Sequence, residues 1–282
     1  MKNIIKLTGL IVLIAFSFFY TDRVVSVIRN TDPLLEEIEN SKETYEKKAI
    51  NGTIKGNSII PGISGREINV DKSYKKMREK GIFDEKLLEY NIISPEVSLA
   101  KNKDKFIIKG NSSKKMVSLI FILTENKYLK SLEDIVTSKE VKINYFVSYD
   151  YLVNNSTSIT KMNNREFYNY GTNGKYTPDN LIFANNLLSR ITNNNAIYCL
   201  TKNMDKNILK MCSNNELYTI NPDIIVKNNP YGQVKANVTN GSLILMEMNN
   251  NTTTEIGIIV DYLRGKGFKI VPLSELLNEN IS

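Results

Sequence analysis

From residue 116 onward, short apolar runs alternate with longer segments whose apolar side chains recur at helical spacing. Runs at 117–123, 141–147, 166–170, 196–200, 216–220, 223–226, 242–248 and 268–271 predict strands. Amphipathic segments at 126–140, 178–191, 204–213, 231–238 and 252–264 predict helices between most of them. The last helix is the best marked. Thr252 and Glu255 stand in capping-box spacing, Ile256, Ile259, Val260 and Leu263 share one face, and Gly267 follows as a terminator. Strand and helix alternating over about 165 residues predict an α/β fold with a parallel sheet, most simply a distorted (β/α)7-8 barrel. In such a barrel the chemistry gathers at the C-terminal ends of the strands. Glu247 is at one of these ends, a charged residue closing the apolar run GSLILME.

The pattern before residue 116 differs. Lys2 and Lys6 precede an apolar stretch from Leu7 to Tyr20 with no small-residue cleavage site after it. That predicts an uncleaved signal anchor over 1–21, a single membrane pass with the N-terminus cytoplasmic and the main domain extracellular. Residues 22–49 carry a heavy charge load with only Leu34, Leu35 and Ile38 as an apolar stripe, which predicts a helical stalk. Residues 50–115, with a Pro61-Gly62 turn and a helix stopped at Gly81, read as a small membrane-proximal α+β segment packed on the main domain, 116–282.

Composition then removes whole classes of chemistry. The chain has no histidine, which excludes imidazole bases and imidazole metal ligands, and with them Ser-His-Asp and Cys-His hydrolysis. Cys199 falls on a strand and Cys212 near the far end of the following helix, a placement that predicts free, buried thiols rather than a bridge. A net charge of +7 is spread along a Lys- and Asn-rich chain and fits a solvated surface facing an anionic environment. No zinc-finger spacing, leucine zipper or RNA-binding signature accompanies it, so nucleic acid is not an expected partner.

The segment GSLILMEMNNNTTTEIGIIVDYLRGKGFKIVPLSELL resembles the closing strand, helix and strand of NodB-type polysaccharide deacetylases, carbohydrate esterase family 4. Residues 266–276 carry that family's Lys-Gly-Phe…Ser-Glu-Leu ending, VKINYFVSYDYLVNN resembles its second strand, and the similarity extends over about 115–278. The resemblance implies a deacetylase fold whose functional motifs are gone. Ile122 and Leu123 stand where the family has its acidic pair, Tyr170 and Gly174 where it has its metal-binding histidines, and Glu247 where it has its general-acid histidine. The Arg-x-Pro motif is replaced around AIYCLTKNMD. Family members use a divalent metal such as zinc to polarise the acetyl carbonyl and activate water. None of its ligands survives here, so no cofactor is expected and an inactive, glycan-binding protein is.

Two alternatives stand beside that expectation. Glu125, Asp150 and Glu247 would form an oxygen-only cluster for a hard cation, supporting an active deacetylase with a rebuilt site. Tyr170 and Tyr176, with Tyr168, would form an aromatic platform for a sugar ring, against core or rim packing as the role of at least two of the three, and Tyr170, Tyr176 and Glu125 are the substrate-binding candidates. The expected partners are cell-wall glycan or an anionic wall polymer, and the membrane through the N-terminal helix; the sequence names no protein partner.

Overall fold

The structure is a computed structural model that describes residues 14, 16, 17, 32–162, 164–192 and 196–281. The expected anchor at 1–21 lies outside the described residues, apart from Ile14, Phe16 and Ser17. Among the described residues no helix is long and apolar enough to cross a membrane.

In chain order the strands are β1 (Thr53–Lys55), β2 (Ser58–Ile60), β3 (Gly65–Ile68), β4 (Tyr90–Ile93), β5 (Phe106–Ile107), β6 (Met116–Leu123) and β7 (Ile143–Val147). They continue with β8 (Arg165–Asn169), β9 (Tyr198–Leu200), β10 (Tyr218–Ile220), β11 (Ile224–Val226), β12 (Leu243–Glu247) and β13 (Lys269–Ile270). The helices are α1 (Pro33–Asn40), α2 (Lys42–Tyr45), α3 (Val70–Met77), α4 (Leu129–Ser138) and α5 (Tyr149–Ile159). After them come α6 (Pro178–Thr192), α7 (Lys206–Asn214), α8 (Pro230–Asn237), α9 (Asn250–Gly265) and α10 (Leu273–Leu276).

The described chain forms two compact units, one of residues 32–49 and 64–93, the other of 50–63 and 94–281. The expected segment 50–115 is therefore shared between them. In the smaller unit α1 opens on Asp32, whose carboxylate accepts from the Leu34 amide at 2.9 Å, with Pro33 in the first turn where its missing N–H costs nothing. Its stripe of Leu34 and Ile38 is buried against Ile68, Met77 and Leu88. The part of the expected stalk that is described is thus packed into a core rather than held out as a spacer.

The larger unit holds two sheets. One runs β11-β12-β6-β7-β8, all parallel, with β13 added on β6. The other runs β1-β2-β5-β10-β9, parallel except for the β1–β2 hairpin. Alternation along each strand divides the core. Val117, Leu119, Phe121 and Leu123 of β6 face outward with Leu132, Ile256 and Val260 of the covering helices. Ile120 and Ile122 face an interior shared with Phe146, Tyr168, Tyr198, Ile220 and Leu245 from both sheets.

The barrel expected from the strand count is accordingly an interrupted one. β8 and β9 belong to different sheets, and the Tyr168 and Tyr198 rings meet across the seam with centroids 5.1 Å apart. The Tyr176 hydroxyl rivets that seam: it donates to the Asn169 carbonyl at 2.8 Å and accepts from the Leu200 amide at 2.9 Å, supplying the two strand ends with the partners a ladder would give.

Cys199 and Cys212 form a disulfide, with Cα atoms 6.5 Å apart, correcting the expectation of free thiols. The reason is the path of α7, which doubles back over the outer face of β9 and returns its far end to the strand it left; both cysteines are wholly buried in one cluster with Leu181 and Tyr176. A bridge across a 13-residue separation stabilises by about 3 kcal/mol through the unfolded chain. Cys212→Ala, or reduction, is expected to lower the unfolding free energy by about that amount in urea titrations. An unchanged midpoint would mean the bridge does not form.

Candidate functional site

The C-terminal ends of β6, β7, β8, β9 and β12 meet at one end of the larger unit. Glu247 closes β12 in register with Ile122 of β6, and its half-exposed side chain lies 3.3 Å from the Lys202 ammonium, on the loop after β9. A carboxylate beside an ammonium at an exposed mouth is a weak surface pair, and it fills the place where the sequence comparison put a proton donor.

Beside it the floor is hydrocarbon. Ile122 points inward and is buried, while Leu123 is fully buried on the opposite face, paired in register with Val147. β6 thus remains strand through both positions at which an acidic pair would have to leave the ladder and project into the mouth.

The loop after β8 closes the other side. Gly171, Asn173 and Gly174 all have positive φ, and the Gly174 amide donates to the Tyr170 carbonyl at 2.9 Å, winding the loop tightly. A Cβ placed on Gly174 would sit 3.0 Å from the Tyr170 hydroxyl oxygen. Tyr170 and Gly174, the two positions that the resemblance matches to metal-binding histidines, are therefore packed on each other.

The sequence-predicted residues separate into distinct situations. Glu125 and Asp150 are exposed on their loop and helix start. Among the described residues no three acidic or sulfur side chains gather as a metal cage, so the alternative of a cation cluster at Glu125, Asp150 and Glu247 finds no support, and the first two are solvated residues. The aromatic platform is also dispersed. Tyr168 lies in the interior, and Tyr176 is spent on the β8–β9 seam, where burial pushes its phenol far above the ordinary value and keeps it a neutral donor. Tyr170 alone of the three borders the mouth, packed against Gly174. Cys199, bound in its disulfide, is no nucleophile.

What sequence reasoning missed is the polar support under the mouth and the surface beside it. Asn144, fully buried on β7, donates to the Ser118 hydroxyl and the Leu119 carbonyl, both at 2.8 Å, and accepts from the Leu273 amide at 2.9 Å, tying β6, β7 and α10 together. A lone asparagine in an apolar strand was the available signal. On the flank, Phe183 and Ile182 of α6 stand out of phase with the buried stripe of Leu181, Ala184 and Leu188.

No family model matches the chain. It is 26% identical over 285 residues to the uncharacterized protein YlxY of Bacillus subtilis (strain 168), covering 90% of this chain and 86% of that protein. It superposes with a TM-score of 0.66 and 25% identity on wild-type BA3943, described as a CE4 family pseudoenzyme from Bacillus anthracis, over 89% of this chain and 97% of that one. The fold is a degenerate carbohydrate esterase family 4 domain. PdaA of Bacillus subtilis, a family 4 carbohydrate esterase, shares the fold at a TM-score of 0.54 and 16% identity, over 81% of this chain and 97% of its own. Within this deacetylase-type fold, Ile122, Leu123, Tyr170 and Gly174, which the resemblance matches to ligand positions, are packed, and among the described residues no three acidic or sulfur side chains gather to hold a divalent metal.

Proposed function

We propose that this chain is a membrane-anchored, extracellular, catalytically silent deacetylase-like protein that binds cell-wall glycan. The observation that carries the loss of catalysis is the burial of Ile122 and Leu123 where the family's acidic pair would stand. With aliphatic side chains at those positions and no imidazole in the chain, the described residues assemble no metal cage and offer no imidazole acid or base for amide hydrolysis. The Cys199–Cys212 bridge supports an oxidising, extracytoplasmic setting, because such bonds persist outside reducing compartments. The basic leader and apolar stretch of 1–21 support the anchor, and the +7 charge suits a wall rich in anionic polymer. The likeness to BA3943, itself described as a pseudoenzyme, supports silence in the same fold.

The full chain, purified in mild detergent, is expected to hold less than stoichiometric zinc or manganese by elemental analysis and to release no acetate from chitotetraose above background, while binding the same oligosaccharide saturably. Metal-dependent acetate release that disappears in Glu247→Ala would overturn the reading in favour of an active, rebuilt deacetylase.

A further inference from the structure

Helix α6 exposes what it would ordinarily bury. Ile182 and Phe183 are 53% and 54% exposed, next to a stripe that already satisfies the core. Large apolar side chains held out together in this way are informative, because folding gains little from placing them there.

Phe183 has a partner. The Tyr149 ring, at the start of α5, meets it edge to face with centroids 5.9 Å apart. The two rings line a groove of about 590 Å³ whose other lining includes Thr172, Asp179, Asn180 and Asn186. Asn180 is nearly buried and fixed, donating to the Lys175 carbonyl at 3.2 Å and accepting from the Thr177 amide at 2.9 Å, while Asp179 and Asn186 are exposed and able to turn toward a ligand. The groove joins the closed mouth, since the Tyr149 amide donates to the Gly171 carbonyl at 2.8 Å and Thr172 follows on the same loop.

Aromatic faces flanked by carboxamide, hydroxyl and carboxylate groups on rigid helices match a pyranose ring, whose C–H face stacks on a π-surface while its hydroxyls and acetamido group seek donors and acceptors at the rim. Charge narrows the class. The chain carries +7, yet the residues lining this groove include Asp179 and no lysine or arginine, which disfavours phosphate-bearing polymers and favours a neutral glycan.

We propose that this groove is a sugar-binding subsite that takes rings of a neutral, N-acetylated glycan against Phe183 and Tyr149, beside the vestigial centre rather than in it. It rests on the glycan-binding reading above and gives that reading a location on the α5–α6 flank.

Calorimetric titration of the full chain with chitotetraose tests it. Phe183→Ala and Asn186→Ala should each raise the Kd, the former by about tenfold, while Phe183→Tyr stays within about twofold of the parent. Ile258→Ala, an equally exposed apolar residue on α9, should leave the Kd unchanged. Because Phe183 and Asn186 are exposed, circular dichroism melts should coincide for all variants. If the parent binds and Phe183→Ala and Asn186→Ala bind equally well, the subsite is overturned while glycan binding stands. If the parent itself does not bind, both fall. If Phe183→Ala instead dissolves self-association in sedimentation velocity with an unchanged Kd, the patch is a contact between copies and the proposal fails.

Discussion

Leu123→Asp, the substitution that would return one carboxylate to the position matching the family's acidic pair, is expected to lower the folding free energy by about 4 kcal/mol or more. Leu123 is fully buried among Leu129, Leu132 and Val147, in a cluster of aliphatic and aromatic side chains. Removing a buried leucine costs about 2–5 kcal/mol by itself. A carboxyl group placed there then pays desolvation, or stays protonated with its pKa driven up. Ile122→Asp should cost less, because Ile122 faces inward at the mouth next to the half-exposed Glu247, where water reaches. Urea titrations of the two variants give the comparison. A Leu123→Asp protein with an unshifted midpoint would show that this end of β6 is not part of the core.

The contrast says what kind of loss this is. β6 continues as strand through Leu123, so the positions that the resemblance matches to the acidic pair hold packing on which the fold depends. Gly174 reinforces the point. It sits at φ +84°, a backbone conformation that strains any side chain, and a Cβ there would also lie 3.0 Å from the Tyr170 hydroxyl oxygen, so an imidazole at 174 is strained even if Tyr170 changes with it. Stepwise restoration would pass through destabilised intermediates. That is why the site reads as closed rather than merely unligated.

The elements written in local pattern were legible. The run 242–248 is β12 at Leu243–Glu247, and the apolar face Ile256, Ile259, Val260 and Leu263 is the buried face of α9. The cap of α9 was not: Asn249 accepts from the Thr252 amide at 2.9 Å, while Glu255 turns away to accept from the Tyr231 amide at 2.7 Å, a tertiary bond that capping-box spacing does not encode. Barrel closure was not legible either. It depends on which strand lies beside which, and the two-residue β5 that joins β2 to β10 carries no periodicity to read. Which of the tyrosines pack inward was not legible for a related reason. Strand alternation sends Tyr168 inward, and only the fold reveals that Tyr176 has two strand ends to bridge. At the site itself, the residue types at 122, 123, 170, 174 and 247 could be read from the sequence, but that Ile122, Leu123 and Tyr170 are packed there depends on the strands and loop that surround them.

Glu133→Ala is expected to cost about 3 kcal/mol, far from the mouth and with no effect on it. Arg165, at the start of β8, has a side chain only 4% exposed, and its Nε lies 3.1 Å from Glu133 on α4. The Tyr145 hydroxyl donates to the same carboxylate oxygen at 2.6 Å, and burial followed by that carboxylate holds the phenol well above its usual range, so it remains a neutral donor. The remaining guanidinium bonds go to the Val141 carbonyl at 3.2 Å, the Asn164 carbonyl at 3.0 Å and the Thr137 hydroxyl at 3.1 Å, none of which carries charge. Truncating Glu133 therefore leaves a buried cation without its counter-charge and a buried phenol without its acceptor, the situation that costs 3–5 kcal/mol in buried pairs. Its side chain is 20% exposed, so water relieves part of the penalty and the lower figure applies. Tyr145→Phe, which removes one donor and no charge, should cost about half as much. The decisive comparison is Glu133→Leu combined with Arg165→Met: if the triad acts as one unit, the pair recovers most of the loss seen in either single variant, because no ion is then left buried. Strictly additive losses in that cycle would mean that Glu133 and Arg165 contribute only as separate packing groups.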